Sequence, residues 1–163
     1  MRQILLALPL IVLVACGQSG GAQSPSSSAP AAQAPAAAAA RSPEEIATAL
    51  AALPAPYNAA NYEAGRRVFA QCRSCHTINA GGANRVGPNL HGVFGREVGT
   101  AAGFNYSQAV QDADFVWDVS HLDHWLDNPS TFLPGNRMAF AGVRNEEQRR
   151  DLIAYLMIET TPE

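Results

Sequence analysis

Cys72-Arg73-Ser74-Cys75-His76 is the stretch from which the rest of this chain can be read. Two thiols three positions apart, followed at once by an imidazole, form the C-x-x-C-H motif through which a c-type haem is attached. At this spacing the thiols reach the two vinyl groups of one haem, and the adjacent imidazole comes to lie under the iron. A thioredoxin-like thiol pair expects a strand-helix-strand setting, and half of a zinc site expects a second Cys or His pair at metal spacing. The sequence around residue 72 supplies neither and reads as helical.

Working outward, a helix is expected to begin at Asn58 or Asn61 as N-cap and to carry Tyr62, Gly65, Val68 and Phe69. A last helix begins at Asn145, where Glu146, Glu147 and Gln148 suit the first turn, and presents Leu152, Tyr155 and Leu156 on one face. Ser120 with Asp123 is expected to cap another, bearing Leu122, Trp125 and Leu126. The stretches 79–103 and 128–142 are rich in Gly and Pro and show no strand alternation. All 12 aromatic residues lie at or after Tyr57, which places the folded domain at 58–163. The expected architecture is a small all-α fold of about four helices. Its long ordered loops enclose one covalently bound haem, which supplements a modest core.

The N-terminal part has other tasks. The apolar run 4–15 follows Arg2, is broken by Pro9 and is too short to span a bilayer, so residues 1–15 read as a signal peptide. Leu13-Val14-Ala15-Cys16 resembles the bacterial lipobox, which makes Cys16 the expected lipidation site. Lipid on Cys16 and haem on Cys72 and Cys75 would use all 3 cysteines. From residue 18 to 40 every residue is Gly, Ala, Ser, Pro or Gln, a composition that cannot offset the entropy of ordering, so 16–57 reads as a lipid-anchored tether. As a coil it would span about 35 Å. Within it, Ser42-Pro43-Glu44-Glu45 signals a short helix to about Ala52, with a capping box. The formal net charge of -3 gives no basic footprint for nucleic acid. With 11 Arg and no Lys, Schiff-base and P-loop lysine chemistry is excluded.

A sixth haem ligand has few sources beyond the leader: Met138, Met157, His91, His121 and His124. Met138 lies in the irregular loop 134–140, which can wrap the far face of the haem, whereas Met157 sits beside the apolar face of the last helix. His121 and His124 flank Leu122 and Trp125 without a third ligand and read as helix surface, as do the carboxylates between 112 and 127.

The ordered set of motifs from Tyr57 to Leu156 resembles class I cytochrome c of the mitochondrial and bacterial c2 type. It comprises Gly65 to Phe69, Cys72-x-x-Cys75-His76, Gly87-Pro88-Asn89-Leu90-His91-Gly92, Tyr106-Ser107, Trp117, Asn128-Pro129, Pro134-Gly135 with Met138, and the closing Leu152 to Leu156. The resemblance implies iron ligation by His76 and Met138, and first and last helices crossing at Gly65. It also implies a Pro88 carbonyl bonded to His76 Nδ1, haem propionates held by Arg96, Tyr106 and Trp117, and Phe140 beside the haem edge. Trp125 stands where the family commonly has a Tyr, and Val110 where it often has an Asn. This makes that side of the haem drier and disfavours the extra charge of ferric iron. Asn136 replaces a Thr near the axial sulfur and could donate a hydrogen bond in its place. The family's lysine ring is absent, and Arg85, Arg137 and Arg144 keep only part of its charge.

The function these features imply is one-electron transfer by a monomer, with no enzyme chemistry. It would shuttle between membrane complexes such as a bc1-type donor and a terminal oxidase or other acceptor, on the periplasmic side of a bacterial membrane. The alternatives are a haem sensor or peroxidase-like enzyme with an open iron position, or a fixed electron-transfer subunit of an oxidase or dehydrogenase.

Overall fold

The computed structural model describes residues 41–162. The expected signal peptide, Cys16 and the tether up to residue 40 lie outside the described residues.

Helices begin here where side-chain oxygens take up the orphan amides of a first turn. Ser42 opens α1 (Pro43–Ala51) with the expected capping box: Glu45 N–H donates to Ser42 Oγ (3.2 Å) and Ser42 N–H to Glu45 Oε2 (2.6 Å). Of the two candidate caps for α2 (Tyr62–Phe69), Asn61 is used, accepting from Ala64 N–H, while Asn58 falls in a single 3-10 turn, Tyr57–Ala59. After the one-turn α3 (Gln108–Gln111) comes α4 (Val119–Asp127), whose start differs from expectation. Its N-cap is Asp118, which accepts from the His121 amide and is thereby held below the usual carboxylate range. Ser120 and Asp123 lie inside the helix, and Asp123 is engaged elsewhere. The one-turn α5 (Pro129–Phe132) precedes α6 (Glu146–Thr160), which Asn145 caps as expected through Gln148 N–H. Four helices thus have eight or more residues. Among the described residues no β-strand accompanies them, only an antiparallel bridge between Glu97 and Val116.

The core is built on α6. The sequence marks one apolar face, but the structure buries every residue from 151 to 156, because α2 packs on one side and α4 on another. Phe69, Leu126, Val143, Leu152, Ile153 and Leu156 form its centre. Tyr155 joins them, with ring centroids 5.2 Å from Tyr62 and 5.3 Å from Phe69. The α2–α6 crossing falls at Gly65, where a Cβ would sit 2.1 Å from the Asp151 carbonyl oxygen.

Burying α6 all round also buries charge, and each charged group has partners. Asp151 accepts from the Asn61 amide (2.9 Å), tying the start of α2 to α6. Arg149, 8% exposed, forks onto Asp123 and reaches Asp127. The acidic stretch 112–127 is therefore only partly a solvated surface, since two of its carboxylates serve a buried guanidinium.

At the other end of α6 the chain enters the domain. Arg41 donates to the Ile158 carbonyl (3.4 Å) and lies 3.6 Å from Glu159, which also accepts from the Tyr62 hydroxyl (2.8 Å). With Ile46, Ala49 and Leu50 half-buried, α1 packs against the 57–59 turn and α6.

Candidate functional site

The turn that ends α2 presents the haem-attachment residues. Cys75 and His76 amides both donate to the Cys72 carbonyl, at 3.0 and 2.9 Å, so the two thiols and the imidazole leave one tight turn together. Burial, then the neighbouring Cys75, pushes the Cys72 thiol up to about 11. Such a thiol is protonated at neutral pH, unlike the low-pKa cysteine of a thiol oxidoreductase.

His76 is placed from two directions. Its Nδ1 donates to the Pro88 carbonyl (2.7 Å), and since a carbonyl can only accept, the proton is fixed on Nδ1. Nε2 keeps its lone pair. Burial lowers the imidazole's affinity for a second proton, against the opposing effect of the Pro88 bond. The ring also lies against Gly87, where a Cβ would come within 2.3 Å of Cε1. Gly87 and Pro88 are themselves held by the Gly87 amide donating to the Cys75 carbonyl (2.9 Å).

Two of the three expected propionate-holding residues, Arg96 and Trp117, are brought together by pairing that the sequence did not signal. Gly95 and Trp117, Arg96 and Trp117, and Val98 and Phe115 exchange backbone hydrogen bonds around the Glu97–Val116 bridge, which sets Arg96 beside Trp117. Arg96 is half-buried and spends hydrogen bonds only on the Asn89 (3.2 Å) and His91 (3.3 Å) carbonyls. Burial lowers its pKa, while the nearby Tyr106 raises it; burial pushes the Tyr106 phenol up in turn. A half-buried guanidinium without a carboxylate among the described residues suits an incoming anionic group. The next residue, Ser107, has its Oγ buried without a hydrogen-bond partner. A hydroxyl adjacent to Tyr106 was the available signal, and it fits the same anionic group.

The opposite wall comes from α4 and the 134–140 loop. Trp125 stands edge-on to Trp117 (centroids 5.5 Å) and to Phe132 (6.1 Å), and Val110 is buried, so this wall is aromatic and aliphatic. Met138 is half-buried, and its amide donates to Asn136 Oδ1 (2.8 Å). Asn136 does not direct its amide to the Met138 sulfur. Its Nδ2 donates to the Pro129 (2.9 Å) and Leu133 (2.8 Å) carbonyls, making it a brace of the loop. Arg137 Nη2 donates to the Asn105 carbonyl (2.6 Å), closing the loop onto the segment that carries Tyr106. Phe140 packs on the core cluster. His121, read as helix surface, is half-buried instead, stacked on Phe115 at 4.7 Å and bonded to Asp118. Among the described residues no group of three or more His, Cys, Asp or Glu could hold a metal ion.

Helices and loops around a thiol pair, a neutral imidazole with one free nitrogen, and a half-buried guanidinium without a carboxylate, with an unpartnered hydroxyl, define a haem protein of the cytochrome type. The residues present fit haem c. The sequence profile of the cytochrome c family matches residues 62–158. A cytochrome c of Kluyveromyces lactis is 42% identical over 106 residues, covering 64% of this chain and 96% of that protein. One of Chlamydomonas reinhardtii is 50% identical over 93 residues, or 56% and 83% of the two chains. Among solved structures, cytochrome cH from Methylobacterium extorquens superposes with a TM-score of 0.56 at 37% identity, covering 60% of this chain and 97% of that one. The chain belongs to the cytochrome c family, class I. As such it binds one haem covalently through Cys72 and Cys75, and it carries electrons rather than acting as an enzyme.

Proposed function

We propose that this cytochrome c is a lipid-anchored one-electron shuttle with His76 and Met138 as axial ligands of its haem. The observation that supports it best is the His76 Nδ1–Pro88 bond, which leaves Nε2 as the only free donor of the ring. Haem supplies the one-electron couple. The chain's own residues do the rest: His76 is kept in one tautomer, and Asn136 braces the loop that offers the Met138 thioether. Arg96, Tyr106, Trp117 and Ser107 offer donors to the propionates, and Trp125 and Phe140 keep water from the haem edge. Cys16 carries the lipid, and the domain works as a monomer on the periplasmic side of a bacterial membrane. It takes electrons from a bc1-type complex and passes them to a terminal oxidase or other acceptor. Confinement to the membrane raises the effective concentration at both partners and offsets the missing lysine ring.

The visible spectrum of purified protein in both redox states tests the ligand set. The expected result is sharp reduced bands, the weak deep-red band of Met sulfur on ferric haem and no change under carbon monoxide; Met138→Leu loses the deep-red band and binds carbon monoxide. A wild-type protein that binds carbon monoxide readily would instead have an open iron, as a sensor or peroxidase-like enzyme requires. For the anchor, Cys16→Ser is expected to move the protein from washed membranes to the soluble fraction. Retention on membranes would count against lipid on Cys16, and co-purification with a complex at fixed stoichiometry would make the protein a bound subunit.

A further inference from the structure

The chain that leaves Met138 runs five residues to Val143, and there it is gripped on both sides of one residue. Val143 is buried; its amide donates to the Leu126 carbonyl near the end of α4 (2.7 Å), and its carbonyl accepts from Arg149 Nη1 (2.9 Å). Just before it, Gly142 passes so close to α4 that a Cβ would lie 1.9 Å from the Asp127 carbonyl oxygen. The guanidinium doing the gripping is fixed in turn. Arg149 Nε and Nη2 fork onto the two oxygens of Asp123 at 2.7 and 3.2 Å, and Nη1 reaches Asp127 at 3.3 Å. Asp127 also meets Arg144 at 3.4 Å, so the charges of the cluster cancel.

Between this point and the Asn136 brace, the loop is held by the Arg137–Asn105 bond and by Phe140, which packs on the core, while Ala139 and Ala141 are exposed. Met138 therefore sits on a short span with two fixed ends, the local amide brace with the Arg137 bond on one side and the ionic cluster around the buried Arg149 on the other. A planar fork suits the second task, since two parallel hydrogen bonds set the orientation of Nη1 in a way that a single ammonium cannot.

We propose that Arg149, held by Asp123 and Asp127, is a positioning residue for Met138: a latch whose integrity sets how often the iron opens to outside ligands. This rests on Met138 being the axial ligand. When the latch is broken the loop loses its downstream fixed point, the methionine-detached state gains population, and an external ligand binds more tightly in proportion.

Imidazole is the probe, titrated into the ferric holoprotein and followed by absorbance. Arg149→Lys, which keeps the charge and loses the fork, and Asp123→Asn are each expected to bind imidazole about tenfold more tightly than the parent. Amides of 139–143 should exchange faster in both, while those of 152–156 keep their protection. Asp127→Asn, which weakens the longer Arg149 contact and the exposed Arg144 pair but leaves the Asp123 fork, should give about a threefold gain and serves if the others fold poorly. Arg66→Gln, which breaks the exposed Arg66–Glu63 pair on α2, should leave the affinity unchanged.

Parental imidazole affinity in the latch variants, even with a lowered melting temperature, would overturn the proposal and leave Arg149 a purely structural group. Met138→Leu separates this from failure of the ligand assignment. If that variant binds imidazole more tightly and the latch variants do not, the latch alone fails. If it binds no better than the parent, Met138 is no ligand and both ideas fall.

Discussion

Gly65→Ala is expected to lower the melting temperature of the holoprotein by about 15–25 °C, although an exposed helical Gly replaced by Ala ordinarily gains stability. The sign reverses because the new methyl group would meet the backbone of α6. It would lie 2.1 Å from the Asp151 carbonyl oxygen, 2.7 Å from the carbonyl carbon and 2.8 Å from Tyr155 Cβ. None of these atoms can rotate away, so the two helices must separate along the crossing. Separation loosens the Phe69–Tyr155 and Tyr62–Tyr155 contacts and the Asn61–Asp151 bond that depend on the same approach. The cost is about 3–4 kcal/mol, in the range of severe overpacking. A thermal melt followed by far-UV circular dichroism measures it, and a fall of less than 5 °C would contradict the crossing described here.

Gly87→Ala is expected to act on the site more than on the fold. The added carbon would lie 2.3 Å from His76 Cε1 and 2.7 Å from both ring nitrogens, so it pushes on the face of the imidazole. Gly87 has no positive φ, so the backbone accepts Ala and the clash falls on the ring. With Nε2 on iron as proposed above, the ring would yield only by tilting, and tilting would draw Nδ1 off the Pro88 carbonyl. The loss of such an outer-shell partner typically weakens metal ligation 10- to 100-fold. The expected result is a mixed-spin ferric spectrum, carbon monoxide binding where the parent has none, and a lower ratio of haem to protein absorbance. An unchanged low-spin spectrum would mean that the ring and residue 87 do not touch.

The parts of this fold that could be read in advance are those encoded over a few residues. The C-x-x-C-H turn, the Ser42 capping box and the Asn145 cap need only local spacing, and the structure realises each. The resemblance implied a Pro88 carbonyl bonded to His76 Nδ1, and that bond is present. What escaped notice depends on contacts between distant segments. Ser120 with Asp123 is as good a cap on paper as Asp118, and the choice was made by Arg149, 26 residues away, which takes Asp123 for itself. Arg149 is buried because α4 brings Asp123 and Asp127 to it, a contact between segments that no local spacing encodes. The pairing of 95–98 with 115–117 joins stretches with no alternating pattern, so nothing short-range announced it. Asn136 looked like a donor to sulfur because family position says nothing of which nearby carbonyls compete for its amide.

The docking of α1 gives the molecule a mechanical property. Force applied from the N-terminal side enters at Arg41, and Arg41 is tied to Ile158 and Glu159 in the last turn of α6. A pull is therefore shared between the last turn of α6, through Arg41, and the seat of α1 on the 57–59 turn and α6. Like a clamp on a cable, these contacts stand in chain order between a tug on that end and the turn that carries His76.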